Sequence, residues 1–154
     1  MGKMVSGFLK EGIKEAAGPL QVCAGHNVGV EAAIHTMSQV FEEEGTNEIL
    51  LIDASNAFKQ MNRSAASHSI QITSKEMAHY VINTCRSPSR PFICGGGETL
   101  SQEGTTQGDH LAMPWYSFNT SIMIQNLRAH CPMVKQVWLA EDSAGGGRIA
   151  QLYD

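Results

Sequence analysis

Glu48-Ile49-Leu50-Leu51-Ile52-Asp53 is a short, unbroken apolar and β-branched run with an acid at its exit. It is too brief for a helix, and without alternation it predicts a strand buried on both faces. Upstream, Val30, Ala33, Ile34, Met37, Val40 and Phe41 recur with helical period, predicting a helix over 28–44 that Gly45-Thr46-Asn47 stops. Before that, Val5, Phe8, Leu9, Ile13 and Ala16 predict a short amphipathic helix over 4–17, ended by Gly18-Pro19. Downstream, a helix is expected over 74–84 with Ser74 as its N-cap, and Pro88 and Pro91 prevent it from continuing. The stretch 91–100, with Gly95-Gly96-Gly97 in its middle, reads as two short strands and a turn, followed by a polar loop over 101–109.

The run 111–127 carries Leu111, Met113, Trp115, Tyr116, Phe118, Ile122, Met123 and Leu127, apolar on more than one side, and predicts a buried helix broken by Pro132. Residues 134–140 predict a second strand with an acidic exit at Glu141-Asp142. Gly145-Gly146-Gly147 then reads as a turn and 148–152 as a return strand. Helices interleaved with hairpins in this order imply an α+β fold, helices on one face of an antiparallel sheet.

The charge balance narrows the function. With 11 Lys and Arg against 15 Asp and Glu, the net charge is −4 and there is no broad positive field of the kind nucleic-acid binding uses. Lys59, Arg63, Lys75, Arg86, Arg90 and Lys135 read as isolated charges on solvated faces. No apolar run approaches the roughly 18 residues of a membrane span, and residues 1–18 lack a signal-peptide core, so no membrane partner and an intracellular location are expected. Cys23, Cys85, Cys94 and Cys131 form no zinc spacing and are expected to be reduced.

If the two acid-ended strands are neighbours, Asp53, Glu141 and Asp142 converge. Oxygen clusters of this kind suit Mg²⁺, which takes one or two carboxylates together with waters and phosphates. Acids at strand ends are also commonly solvated or cap turns, and spacing alone leaves both readings open.

Three blocks bear on that choice. Leu51-Ile52-Asp53-Ala54-Ser55-Asn56-Ala57-Phe58 resembles the D-x-x-x-A-F block of reverse transcriptases, Gly104-Thr105-Thr106-Gln107-Gly108-Asp109 resembles their G-x-x-Q-G-D block, and Trp138-Leu139-Ala140-Glu141-Asp142 resembles their x-A-D-D turn. They occur in the family's order, and the resemblance, spanning 18–147, is broadly to the non-LTR retroelement type. Ala17-Gly18-Pro19-Leu20-Gln21 and Glu31-Ala32-Ala33-Ile34-His35 are similar to stretches of such chains. The resemblance implies a polymerase palm over 48–154 and a partial, helical fingers segment over 1–47, with a basic fingers part upstream and a thumb downstream both outside the chain. It implies an RNA-directed DNA polymerase that adds deoxynucleotides to a primer with two Mg²⁺ ions, its partners being RNA template, DNA primer and dNTP. Asp53, Glu141 and Asp142 would hold the metals. Phe58, otherwise a core phenylalanine, would form the wall beneath the incoming sugar. Gln107 and Gly108 would line the nucleotide and template pocket, while Gly104 shapes the loop and Asp109 caps the helix that follows.

The chain departs from the family pattern at two places. Glu141 stands where the turn carries its first aspartate, moving the carboxylate out by one methylene, and a misplacement of about 1 Å can cost about 10²-fold in rate. His110 stands where the family has proline, weakening the helix start. A non-catalytic derivative that only binds is the alternative these departures imply.

Overall fold

In the computed structural model, residues 2–105 and 108–153 are described. The 4–17 stretch is two helices, α1 (Gly2–Phe8) and α2 (Lys10–Ala17). They meet at Leu9, whose amide still donates to the Val5 carbonyl, so the break is slight. Next come α3 (Gly29–Glu42) and β1 (Glu48–Asp53). On α3, Ala33, Met37 and Val40 fall on one face, and all three are buried. They meet Val137 and Ala144 of the sheet.

Between β1 and the 74–84 region lie two helices that the apolar pattern does not announce, α4 (Ala57–Gln60) and α5 (Arg63–Thr73). The side chain of Asn62 caps α5 by accepting from the Ala65 amide at 2.8 Å. Helix α5 buries Ala66 and Ile70 although most of its remaining residues are polar. Helix α6 (Lys75–Cys85) and the long α7 (Ala112–His130) complete the helical cluster, in which Ile13, Ala66, Ile70, Met77, Val81, Trp115 and Phe118 are all buried. Ser74 sits at the N-cap of α6 without a side-chain cap bond. The 91–100 hairpin is reduced to isolated bridges, Phe92 with Glu98 and Ser89 with Ser101, on an exposed loop.

The sheet is antiparallel, ordered β1-β3-β2, with β2 at Lys135–Leu139 and β3 at Asp142–Gly147. An α+β fold is therefore present, but three details differ from the expectation. First, β1 is an edge strand: Ile49 alone packs against the α3 side, and Leu51 is 75% exposed. Continuous apolar character foretold burial that the sheet order withholds. Secondly, Gly145-Gly146-Gly147 is not a turn but part of β3, and 149–152 is a helix, α8 (Ile149–Leu152). The turn is Ala140-Glu141. A side chain at Gly146 would collide with Val40, so the missing Cβ lets α3 lie directly on the strand. Thirdly, helices touch both faces of the sheet: α3 covers one, while Leu152 of α8 reaches Gly145 on the other. Residues 2–47 share both cores, because α2 packs on α7 and α3 on β2 and β3. No described helix is long and apolar enough to cross a membrane.

Candidate functional site

The β2–β3 connection is a two-residue turn, Ala140-Glu141. Ala140 has φ +59°, and Glu141 does not share the positive φ, which is the pattern of a type II′ turn. Glycine usually fills that first position, and a residue with a Cβ there costs about 1–3 kcal/mol unless its surroundings hold it. The holding group is Gln21. Its Oε1 accepts the Ala140 N–H at 2.9 Å, and its Nε2 donates to the Ala140 carbonyl at 3.2 Å.

The turn sets the acids in place. Asp142 opens β3 directly opposite Asp53, the last residue of β1, in the antiparallel register. Both are exposed. Directly opposed residues have Cα atoms about 4.5–5.5 Å apart, and like charges facing each other across strands are destabilising. Neither aspartate has an ion-pair partner among the described residues, whose ion pairs are Arg90 with Glu98 and Lys135 with Glu43. Among the described residues no three His, Cys, Asp or Glu side chains are gathered to hold one ion. The register brings Asp53 and Asp142 opposite each other, and Glu141 precedes Asp142 in the turn.

Burial, and after it the Glu141 carboxylate, pushes the Tyr116 phenol above its ordinary range. The Cys23 thiol is likewise pushed up, by burial first and then by Glu141 and Asp142, with a backbone bond from Ala140 acting in the opposite sense. Tyr116 also stacks on Phe58, ring centroids 4.6 Å apart and planes tilted by 30°. Phe58 is half-buried on α4, against the helical core.

The loop that follows the exposed hairpin is tied to α4. The Thr105 amide donates to the Phe58 carbonyl and the Gly104 amide to the Met61 carbonyl, each at 2.7 Å. A Cβ on Gly104, which has φ +71°, would strike the Lys59 backbone, so only glycine fits this approach. Arg63, expected on a solvated face, instead stitches the loop together: its guanidinium donates to the Gly104 and Ser101 carbonyls and to Ser101 Oγ at 2.7–2.8 Å. Asp109 Oδ1 accepts from the Leu111 amide at 2.9 Å just ahead of α7. Gly108 is exposed, with open space where a side chain would be. Gln107 lies outside the described residues.

No protein-family model matches the chain, and no curated protein matches it. The geometry therefore carries the functional reading. Segments far apart in sequence, 53–58, 104–105 with Asp109, and 138–142, adjoin around the start of α7, with Tyr116 touching Phe58 and lying within the field of Glu141. Beside Asp142 an apolar groove of about 230 Å³ runs between α3 and the sheet, past Met37, Leu51 and Leu139. Another cavity, of about 370 Å³, opens on the opposite sheet face between Trp138 and Leu127.

Gln21, Tyr116 and Arg63 are the site residues that sequence reasoning missed or read as structural. A polar Gln21 between apolar Leu20 and Val22 was the available signal for the first. Arg63 offered none, since its partners are backbone carbonyls.

Asp53 and Asp142 form a hard, all-oxygen donor pair, which fits Mg²⁺ better than zinc or a softer metal. Two carboxylates leave room for the waters and phosphate oxygens that this ion keeps.

Proposed function

We propose that the chain is part of an RNA-directed DNA polymerase, a reverse transcriptase of the retroelement kind, and that Asp53 and Asp142 hold its catalytic Mg²⁺. The observation that carries this reading is the cross-strand pair itself: two exposed aspartates in direct register, without a cationic partner among the described residues, at the meeting point of three family-like blocks. Such a pair costs folding energy unless a cation offsets it. When bound, two Mg²⁺ ions would activate the primer hydroxyl and stabilise the pyrophosphate that leaves.

The chain's own residues supply orientation. Phe58, braced by Tyr116, lies on α4 a few residues beyond the strand that carries Asp53, and it would favour a deoxyribose over a ribose. RNA template, DNA primer and dNTP are the proposed partners. Glu141, standing where the family's turn carries its first aspartate, favours a second reading in which the site binds a cation and nucleic acid but turns over slowly or not at all.

RNA-templated primer extension in Mg²⁺ separates the two. In an active protein Asp53→Asn abolishes extension and Glu141→Asp raises it. Extension indifferent to Asp53→Asn removes the metal assignment, and no extension by either the wild type or Glu141→Asp favours the binding-only reading. Phe58→Ala should increase ribonucleotide incorporation; unchanged sugar selection removes its role as a gate.

A further inference from the structure

Gln21 is 0% exposed, and it is a neutral polar side chain buried against a turn 119 positions away. Both of its amide groups are spent on one residue, Ala140, and they satisfy both backbone polar groups of that residue. The segment around it is docked along β2. The Trp138 amide donates to the Leu20 carbonyl at 2.8 Å and the Val22 amide to the Trp138 carbonyl at 2.9 Å, giving a parallel bridge between Gln21 and Trp138. The backbone at 20–22 therefore cannot drift relative to the hairpin, and the side chain arrives at Ala140 with its direction already set.

The demands of the position select glutamine. One group must accept from an N–H and an adjacent one must donate to a C=O, which only a carboxamide does. Asparagine is shorter by a methylene. Glutamate can accept but not donate, and it would add a third negative charge beside Glu141 and Asp142. Methionine matches the volume but leaves two partly buried backbone groups without this partner, at a cost of up to about 1–3 kcal/mol each.

We propose that Gln21 is a positioning residue: its carboxamide clamps Ala140 in the left-handed conformation and so fixes the direction in which Asp142 meets Asp53. It touches neither metal nor substrate. The functional weight of the clamp rests on the proposed cation site, whereas its structural part stands without it. A glycine at 140 adopts a positive φ at no cost, so it should replace the clamp where alanine needs it.

The test uses the whole chain and reads two quantities: amide hydrogen exchange at Ala140, and Mn²⁺ affinity followed by electron paramagnetic resonance. Gln21→Met should speed Ala140 exchange about tenfold or more relative to the Phe118 amide and weaken Mn²⁺ binding by a similar factor. Gln21→Glu should fall between wild type and Gln21→Met in exchange, and it keeps the test open if the methionine variant does not fold. Adding Ala140→Gly to either variant should restore Mn²⁺ affinity, which a general packing defect would not allow. Unchanged Ala140 exchange in both variants overturns the clamp, as does a Mn²⁺ loss that Ala140→Gly fails to repair. If the wild type takes up no Mn²⁺ that Asp142→Asn removes, the cation reading fails by itself and the exchange result alone decides the clamp.

Discussion

Phe118, Ile70 and Met77 lie at 0% exposure where α5, α6 and α7 meet, whereas Leu50, Leu51 and Ile52 of β1, equally apolar, stand 42, 75 and 49% exposed. The difference is one of neighbours rather than composition. Phe118, on α7, lies in a core shared with α2, α5 and α6. The edge strand has β3 along one side, and of its residues only Ile49 packs against the α3 layer. Stability is thus concentrated in the helical cluster, while the acids stand on the thinly packed sheet. Sites that bind and release ligands commonly occupy such lower-stability elements.

The contrast can be broken at its strong end first. Phe118→Ala removes a fully enclosed ring and should cost about 3–5 kcal/mol in chemical denaturation; a loss below about 1 kcal/mol would mean that the helical cluster is not the main core. At the sheet, Gly146→Ala drives a Cβ into Val40 and should cost about 1–3 kcal/mol. That cost should be local, with β1 and β3 amides exchanging faster and α5 to α7 amides unchanged. Uniform acceleration across the chain would erase the distinction between the two regions. Leu51→Lys, on the open edge strand, should stay within about 0.5 kcal/mol of wild type, and a larger loss would show that something covers that face.

The smallest expected effect is alkaline. The folded Cys23 thiol titrates above its unfolded value of about 8.5, so the unfolded chain loses this proton first. The stabilisation it contributes is complete below that pH and declines as pH rises toward the folded pKa. Cys23→Ser should flatten part of this decline in urea midpoints collected between neutral and alkaline pH. Cys85, also raised chiefly by burial, keeps the remainder.

What the sequence disclosed follows the same division. Helical periodicity marked α3, whose apolar face lines the core beside the sheet, a long run apolar on more than one side marked α7 in the helical core, and the extent of β1 was visible in its β-branched run. Helix α5 escaped because Ala66 and Ile70 bury among serines, histidine and glutamine, leaving too few apolar positions to count. Three consecutive glycines read as a turn, yet they lie in β3, where Gly146 serves close packing by α3, a tertiary demand that no local pattern shows. The candidate acids were legible as chemistry, and the register that opposes Asp53 to Asp142 was legible only as a condition on the two strands being neighbours. Gln21 was visible as a polar break in an apolar run, but its partner lies across the fold.

A Mn²⁺ titration followed by paramagnetic broadening of backbone amide resonances tests the aspartate pair most directly. Resonances of residues 53 and 140–142 should broaden first, and Asp142→Asn should abolish the effect while leaving the α5–α7 resonances sharp. Broadening that begins instead at the acidic run Glu42-Glu43-Glu44, or that survives Asp142→Asn unchanged, would contradict a cation site between β1 and β3.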